Sequence, residues 1–364
     1  MAELLFNPRS FQPSQRLIDF VSHEKRLDSH LLFQSSGSTG NPKWVALSRE
    51  ALEVSARACN EHLDVSSKDI FGLSLPRFHV GGYGILERAR VSGAACTEYG
   101  KKWNAAAFYE WLCQEKVSIC SFVAAQVFDL HEFKAPESLR AVVVGGGRMP
   151  EDLFLRARKN GWPLLPSYGL TECASQVATA QIASLSELKY PEAKILSHIE
   201  AKQIAEQKVA IKSSALFSWY LLEKENDIQL FDSKENAFFV LPDKVEFSSS
   251  GGIKVLGRWE EDHKVLGEWI RWDWMQKKFY ELAFAVGKYQ QVEISLYSDA
   301  RQGNIIVFLC EDFDNSAKSL VNEFNCDLFP FERITHYFEG SLARSELGKI
   351  LPKKLKKENF KAFA

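Results

Sequence analysis

A loop rich in serine, glycine and threonine carries the clearest chemical signal in the sequence. It runs from Ser35 to Lys43 and reads SSGSTGNPK. Small residues let the backbone approach an anion closely, hydroxyl and N–H groups donate to that anion, and the lysine adds positive charge. The spacing of its glycines matches neither the GxxxxGK[ST] phosphate loop nor GxGxxG. From its residues alone, the loop fits phosphate binding and an ordinary hairpin turn equally well.

A second segment, Tyr168-Gly169-Leu170-Thr171-Glu172, combines an aromatic ring, a hydroxyl and a carboxylate. An aromatic face can cover a nucleobase, a threonine hydroxyl can bind phosphate, and a carboxylate can hold a magnesium ion that bridges phosphate oxygens. The alternative is a strand end followed by a helix start, with the threonine and glutamate as capping residues. Taken alone, the segment favours that alternative.

Three further features are weaker when each is taken by itself. The run Gly145-Gly146-Gly147 follows an apolar stretch, where it would let a flat ring lie against the backbone or would form a plain turn. His79 has no metal-ligand spacing to another histidine and is more typical of a structural residue. Lys349 follows a glycine and could reach into a site, but more lysines follow it, which favours a solvated basic tail.

The elements around these residues indicate what would position them. A short apolar strand, Leu31–Phe33, precedes the first loop, a strand at Trp44–Leu47 follows it, and Ser48 is a plausible N-cap for the next helix. Strands and helices then alternate up to about residue 190, a pattern typical of α/β proteins with a largely parallel sheet, in which turns after strands bind ligands. Later strands are shorter. The predicted strands are Ile70–Leu75, Ser118–Val123, Leu139–Val144, Val209–Ile211, Ala215–Leu222, Ile228–Phe231 and Ala237–Val240, and the predicted helices are Ala105–Glu115 and Glu151–Lys159.

Composition narrows the class of protein. The chain has 364 residues, 46% of them apolar, with 45 basic and 47 acidic side chains. The length suggests two domains, and the charge balance gives no footprint for nucleic acid or an anionic membrane surface. The seven cysteines show no CxxC spacing, so neither a disulfide framework nor a zinc site is expected. No secretory signal is recognisable and no apolar run approaches the roughly 20 residues of a membrane span, so we expect a cytoplasmic protein.

Read together and in order, the segments resemble the superfamily of adenylate-forming enzymes, which contains acyl-CoA synthetases, peptide-synthetase adenylation domains and luciferases. The resemblance implies an α/β fold with a large N-terminal domain, whose mostly parallel sheets are sandwiched by helices, and a small α+β C-terminal domain. It also implies site residues. ATP or AMP would be bound by Ser35, Ser36, Gly37, Ser38, Thr39, Gly40, Lys43, Gly145, Gly146, Gly147, Tyr168, Gly169, Asp243 and Arg258. Catalysis would involve Lys349, Thr171, Glu172 and His79, with Glu172 as the metal ligand and Glu260 as the hinge.

Within this superfamily, the segment FHVGGYGI around His79 is similar to the FHVSGxGI segment of the o-succinylbenzoate–CoA ligases of menaquinone biosynthesis. VGGG and YGLTECAS are also close to that family's pattern. The resemblance implies an AMP-forming acid–thiol ligase that acts through an acyl adenylate. It would require ATP, Mg²⁺ and, as a co-substrate, coenzyme A. Its binding partners would be ATP, coenzyme A and a small carboxylic acid. Neither nucleic acid nor a membrane span is expected, and a homodimer is left open.

Three departures from the family pattern bear on this expectation. Fewer residues precede the phosphate loop than in the family, so residues 1–257 are expected to form an AMP-binding core domain with a reduced N-terminal subdomain. Residues 258–364 would form the small mobile domain. The family's TGD reads LPD around Asp243. The glycine-rich loop after the hinge is reduced to VLGEWI, which makes thioester formation less secure than adenylation.

Other functions remain compatible with the same residues. One is a ligase for another acyl or aryl acid, or an adenylation enzyme that loads a carrier protein. Another is a non-catalytic nucleotide-binding relative, although retention of Lys349, Glu172 and Arg258 speaks against it. A scaffold that binds no nucleotide is disfavoured because the polar segments would then share no purpose.

Overall fold

A computed structural model describes most of the chain. The described residues are 2–8, 11–35, 43–147, 149–224, 227–248, 251–259, 263–265, 268–270, 272–299, 303–326, 328–345, 350–351 and 361–363. Five predicted phosphate-loop residues (36–40), the predicted hinge residue Glu260 and the predicted catalytic Lys349 lie outside these ranges.

Helices form where the sequence supplies an apolar face, and several of them begin at a residue whose side chain caps the first turn. They are α1 (Gln15–His23), α2 (Arg49–His62), α3 (Val80–Ser92), α4 (Ala105–Gln114), α5 (Ala124–Leu130), α6 (Glu151–Lys159), α7 (Trp272–Ala285) and α8 (Asn315–Asn325). The predicted N-cap Ser48 is confirmed, since its hydroxyl accepts a hydrogen bond from the Ala51 N–H at 3.0 Å. Asn104 and Asp314 cap α4 and α8 in the same way, which satisfies N–H groups that have no partner inside the helix.

The strands form two larger and two smaller sheets. In chain order they are β1 (Glu3–Leu5), β2 (His30–Ser35), β3 (Lys43–Ser48), β4 (Ile70–Leu73), β5 (Ala95–Glu98), β6 (Ile119–Val123), β7 (Ala141–Gly145), β8 (Leu164–Leu170), β9 (Ser175–Thr179), β10 (Ala193–Ile195), β11 (Glu200–Ala205), β12 (Lys208–Lys212), β13 (Trp219–Glu223), β14 (Ile228–Phe231), β15 (Phe239–Phe247), β16 (Gly252–Arg258), β17 (His263–Val265), β18 (Glu268–Ile270), β19 (Val292–Asp299), β20 (Gly303–Cys310), β21 (His336–Glu339) and β22 (Lys361–Phe363).

The large sheet confirms the α/β class. Its parallel strand pairs all lie in one half of the sheet. Its order is β11-β12-β15-β16-β10-β9-β8-β7-β6-β4-β5. From β5 to β8 every pair is parallel, and from β8 to β11 every pair is antiparallel. Parallel neighbours need long crossovers, which helices supply in the first half, whereas the short connections of the second half permit antiparallel pairing. The two halves meet at β8.

The five-stranded sheet has the order β1-β2-β3-β13-β14. β2 and β3 are the two strands predicted to flank the serine-rich loop, and they pair antiparallel. β1 pairs parallel with β2 at the edge of the sheet. Pairing of β13 with β3 sets Tyr220 opposite Val45 and Leu222 opposite Lys43. Side chains two residues apart share a face of a strand, so the tyrosine and the lysine lie on the same face of this sheet.

Two predicted strands differ most from those observed. The strand predicted at 215–222 begins only at Trp219, because the Phe217 N–H donates to the Glu172 carbonyl at 2.8 Å instead of to a neighbouring strand. The strand predicted at 237–240 extends to Phe247 as β15. Asp243 therefore lies inside a strand, opposite Arg258 of β16.

Residues from β17 onward build their own apolar core, in which Phe279, Phe308 and Phe324 are fully buried. The aromatic end of α7 departs from this pattern, because Phe284 packs into the cluster around α5 and α6. At the start of α7, Trp272 is buried and Trp274 is 37% exposed. The domain boundary at residue 258 stays a prediction.

An ion pair between Asp69 and Arg140 links the segments that precede the parallel strands β4 and β7. The Arg140 guanidinium donates to both carboxylate oxygens of Asp69, at 2.7 and 2.9 Å, and the Ser118 hydroxyl and the Ser66 N–H donate to the same carboxylate. Burial alone would raise the pKa of Asp69, but these hydrogen bonds outweigh it and hold that pKa well below its ordinary value.

Within the described part of the chain, we find no helix that combines the length and the apolar composition needed to cross a bilayer.

Candidate functional site

The site lies where β8 changes from its parallel neighbour β7 to its antiparallel neighbour β9. Such a switch leaves a crevice beyond the strand ends, which is where open α/β sheets bind ligands. The predicted segment 168–172 forms the last residues of β8 and the start of a single 3₁₀ turn, Thr171–Cys173. The predicted strand end is observed, but the turn that follows is 3₁₀ and its N-cap is Leu170, not Thr171 or Glu172.

The backbone of this turn is under strain. Ala174 and Ser175 have φ values of 49° and 107°, which non-glycine residues rarely adopt. A Cβ atom added to Gly169 would lie 1.9 Å from the Ser175 carbonyl oxygen, so only glycine fits at that point. Strained backbone of this kind concentrates at functional sites, where the surrounding structure enforces it.

Tyr168, predicted to bind adenine, and Asp243, predicted to bind ribose, are in direct contact. The Tyr168 hydroxyl donates to Asp243 Oδ2 at 2.6 Å, and Asp243 is 8% exposed. Arg258, the predicted second ribose ligand, is the strand neighbour of Asp243. Three residues that were predicted separately are thus brought to one place by the pairing of β8, β15 and β16 with their neighbours.

The three glycines form the adjacent turn. Gly145 ends β7, and a Cβ added there would lie 3.7 Å from the carbonyl oxygen of Ser167, the residue before Tyr168. Gly146 has a φ of +77°, which favours glycine. Gly146 and Gly147 are exposed. A flat ring could therefore lie between this turn and the Tyr168 side chain.

The Glu172 carboxylate, predicted to lie beside the phosphates, is held by two residues of the five-stranded sheet. Its Oε1 accepts a hydrogen bond from the Tyr220 hydroxyl at 2.8 Å and lies 3.6 Å from Lys43 Nζ. The same ammonium lies 3.6 Å from the centre of the Tyr220 ring, a geometry that attracts a cation. Burial, and then the negative charge of Glu172, raise the pKa of Tyr220 far above its ordinary value, so the phenol stays protonated and donates.

The second oxygen of Glu172 receives no hydrogen bond from the residues that the structure describes. Nor, among those residues, does any group of three or more His, Cys, Asp or Glu side chains form a metal site. Magnesium in nucleotide sites is commonly held by one or two carboxylates together with substrate phosphates. One carboxylate with an open oxygen, beside a lysine, fits that donor set.

Two other predicted catalytic residues, Thr171 and His79, lie in this turn and at the start of α3, respectively. Thr171 begins the 3₁₀ turn, and its hydroxyl has no hydrogen-bond partner among the described residues. His79 is the N-terminal capping residue of α3 and is exposed, with its ring 4.7 Å from that of Phe78. Cys173 is no nucleophile, because burial raises the pKa of its thiol well above the ordinary value.

Arg88, a buried cation beside this turn, is not among the site residues that the sequence predicts. It lies on α3, is only 3% exposed, and donates to the Ser175 hydroxyl at 3.4 Å. Its Nε has no hydrogen-bond partner, and among the described residues no carboxylate lies within ion-pair distance of it. Gly84, one helical turn earlier, leaves room for the guanidinium, and this spacing is the signal that could have pointed to it.

Comparison with known proteins places the chain in a family. The model of a family described as AMP-binding enzyme matches residues 15–210. The chain belongs to the AMP-binding enzyme family. The matched region contains the serine-rich loop, the three glycines and the turn at Glu172, and it ends before the strands that carry Asp243 and Arg258.

Curated relatives in this family are named 2-succinylbenzoate–CoA ligase. One from Geobacillus sp. (strain WCH70) is 31% identical over 166 residues, which cover 44% of this chain and 34% of that protein. One from Escherichia coli (strain K12) is 32% identical over 160 residues, covering 43% and 34%. The chain thus matches about a third of the length of these relatives.

Solved structures extend the likeness of fold over more of the chain. The o-succinylbenzoate coenzyme A synthetase of Bacillus subtilis, in complex with AMP, has a TM-score of 0.72 at 22% identity and covers 90% of this chain and 69% of that one. Its complex with the acyl-adenylate intermediate OSB-AMP has a TM-score of 0.73 at 23% identity, with the same coverage. At these identities the likeness shows the fold.

Proposed function

We propose that this AMP-binding enzyme activates a small carboxylic acid with ATP and transfers the acyl group to coenzyme A, and that the acid is o-succinylbenzoate. The observation that carries the proposal is the hydrogen bond from Tyr168 to Asp243, which joins two predicted nucleotide-binding segments 75 residues apart. The names of the curated relatives support the choice of acid and of acceptor.

The nucleotide would lie across the end of β8. Tyr168 and the turn of Gly145 to Gly147 would hold the adenine ring, and Asp243 with Arg258 would hold the ribose hydroxyls. Thr171, Lys43 and the loop from Ser35 to Gly40 would hold the phosphates, since hydroxyls, N–H groups and a lysine suit that charge. Glu172 would hold magnesium, which supplies positive charge against the phosphates and the departing pyrophosphate.

Two bond exchanges complete the reaction. A carboxylate oxygen of the acid attacks the α-phosphorus of ATP while the bond to pyrophosphate breaks. The thiolate of coenzyme A then attacks the acyl carbon, and AMP leaves with the electron pair of the broken bond. Because the first step brings two anions together, charge neutralisation is the main task of the site. We assign that role to Lys349, delivered by residues 258–364 turning about Glu260.

The acyl side of the site also has a suitable cation. o-Succinylbenzoate has two carboxylates, and only one of them is activated. A buried guanidinium without a carboxylate partner is energetically costly, and binding of an anion beside it would be strongly favourable. Arg88 therefore suits the second carboxylate of the acid, with His79 at the start of the same helix.

The proposal is tested by measuring pyrophosphate release with ATP and Mg²⁺ across a panel of acids, with coenzyme A added or withheld. We expect release that depends on o-succinylbenzoate, and thioester formation when coenzyme A is present. Lys349→Ala should abolish release but still form thioester from supplied acyl adenylate, while Lys353→Ala in the same basic segment should resemble the wild type.

Each other outcome discards a defined part of the proposal. Release with another acid keeps the chemistry and rejects the substrate. Transfer to a carrier protein and not to coenzyme A rejects the acceptor. ATP binding without release for any acid would indicate a nucleotide-binding relative without catalysis.

A further inference from the structure

Tyr220 lies beside the proposed nucleotide site, but no role has been assigned to it above. It lies on β13, in the five-stranded sheet, whereas the carboxylate that it contacts belongs to the turn after β8 of the large sheet. Its hydrogen bond to Glu172 is the side-chain link that the structure shows between the phosphate-side carboxylate and β13.

The tyrosine ring is fixed on several sides. Its centroid lies 4.3 Å from that of Phe217 and 5.5 Å from that of Phe231, and the residue is 4% exposed. The Lys43 ammonium covers one face at 3.6 Å. A ring held in this way can direct its hydroxyl to one point, and that point is Glu172 Oε1.

The consequence falls on the two oxygens of one carboxylate. Oε1 is engaged by the phenol and the ammonium, while Oε2 accepts no hydrogen bond from any described residue. A carboxylate with one oxygen tied by neighbouring groups cannot rotate without breaking those bonds, so its other oxygen keeps a fixed direction. Hydrogen bonds of this kind orient metal-binding carboxylates, and their loss typically weakens metal affinity or activity about 10- to 100-fold.

We propose that Tyr220 is a positioning residue, which orients Glu172 through Oε1 so that Oε2 faces the magnesium of the bound nucleotide, and which at the same time seats Lys43 beside the phosphates. This inference rests on the proposed function, because it takes Glu172 as the metal ligand. It adds a residue that neither the sequence motifs nor the family resemblance singles out.

The test compares Tyr220→Phe with a matched control, Tyr280→Phe. The first substitution removes only the hydroxyl and keeps the aromatic packing. The second removes an equivalent tyrosine–glutamate hydrogen bond, from Tyr280 to Glu293 at 2.7 Å, in the C-terminal part of the chain. Thermal unfolding monitored by circular dichroism establishes that both variants fold.

The first readout is binding, independent of turnover. Mn²⁺ is titrated into the protein with a non-hydrolysable ATP analogue, and free Mn²⁺ is followed by electron paramagnetic resonance. We expect the half-saturating Mn²⁺ concentration to rise about 10-fold in Tyr220→Phe and to stay unchanged in Tyr280→Phe. Equal values in Tyr220→Phe and wild type, or equal shifts in the two variants, overturn the inference.

The second readout separates positioning from general damage. In pyrophosphate release, excess Mg²⁺ should restore the kcat of Tyr220→Phe, and the KM for the acid should stay unchanged. Adding Tyr220→Phe to Glu172→Gln should have little further effect, because the tyrosine acts through that carboxylate. Independent, multiplicative effects of the two substitutions would contradict it.

Failure of the proposed function is distinguishable from failure of this inference. If metal–nucleotide binding responds as expected but no acid gives pyrophosphate release, Tyr220 keeps its role and the ligase function falls. If the wild-type protein binds no Mn²⁺ with the nucleotide analogue, both fall.

Discussion

The ion pairs at Asp69 and at Glu172 are both formed by a carboxylate and a basic side chain, but they differ in how many of the carboxylate's acceptor positions are occupied. Asp69 meets the Arg140 guanidinium with both oxygens, and a serine hydroxyl and a backbone N–H occupy the remaining acceptor positions. Glu172 meets the Lys43 ammonium at 3.6 Å with one oxygen, which also accepts a hydrogen bond from the Tyr220 phenol, and its other oxygen has no partner in the part of the chain that the structure describes. The first pair has nothing left to bind and holds strands together. The second has an acceptor to offer, and it lies at the switch point of the large sheet.

The difference teaches how to separate structural from functional charge in this fold. A buried carboxylate whose acceptor sites are all used contributes to stability, and its loss leaves an unpaired charge behind. A carboxylate with an unused acceptor forgoes some of that stability, and such incompletely satisfied groups mark sites where a ligand completes the set. Isosteric substitutions at the two positions should therefore act on different observables.

The largest effect is expected from Glu172→Gln. Loss of the negative charge should lower acid-dependent pyrophosphate release about 100-fold, because one preorganised charge at the reacting phosphates is removed. The midpoint of urea unfolding should move little, because the Lys43–Glu172 ion pair is long, at 3.6 Å, and the glutamine oxygen can still accept the hydrogen bond from Tyr220. Steady-state kinetics and chemical denaturation of the same preparation check both points. A loss of stability equal to that of Asp69→Asn would break the comparison.

A smaller and opposite pattern is expected from Asp69→Asn. Removal of this charge leaves the half-buried Arg140 without its partner and should reduce the free energy of unfolding by about 2 kcal/mol, discounted because the arginine is partly exposed. Activity per folded molecule should stay near wild type. Urea titration at pH 7, with activity measured below the transition, tests this. Strong loss of activity in a folded variant would show that the Asp69 pair also serves the site.

The smallest effect is a pH dependence that belongs to Asp69 alone. Its folded-state pKa lies below the ordinary value of 3.8, so its stabilisation is complete above that value and is lost as the pH falls towards the folded pKa. The stability gap between wild type and Asp69→Asn should thus shrink by about 1 kcal/mol between pH 7 and pH 3. Urea unfolding at both pH values measures the gap. A stability gap that widens on acidification would show that the pKa of Asp69 is not lowered in the folded state.

Local patterns allowed the elements to be predicted well. The Ser48 cap, the helix Glu151–Lys159 and the strand Ile228–Phe231 were placed correctly, because capping chemistry and apolar periodicity act over a few residues. The antiparallel half of the large sheet was not foreseen, since pairing partners depend on chain connections. The extension of β15 through Asp243 was missed for a similar reason: proline and aspartate weaken a strand pattern that tertiary pairing restores.

The sequence by itself determined the α/β class, the family and the kinds of side chain that the site requires. Small residues, an aromatic ring, a carboxylate and lysines in a fixed order are chemical requirements, and they are legible without coordinates. Only the tertiary structure decided which of them meet. The Glu172–Tyr220, Tyr168–Asp243 and Arg88–Ser175 contacts join residues 48, 75 and 87 positions apart. Contacts at that separation follow from strand register and from the packing of α3 on the sheet, which no local pattern encodes.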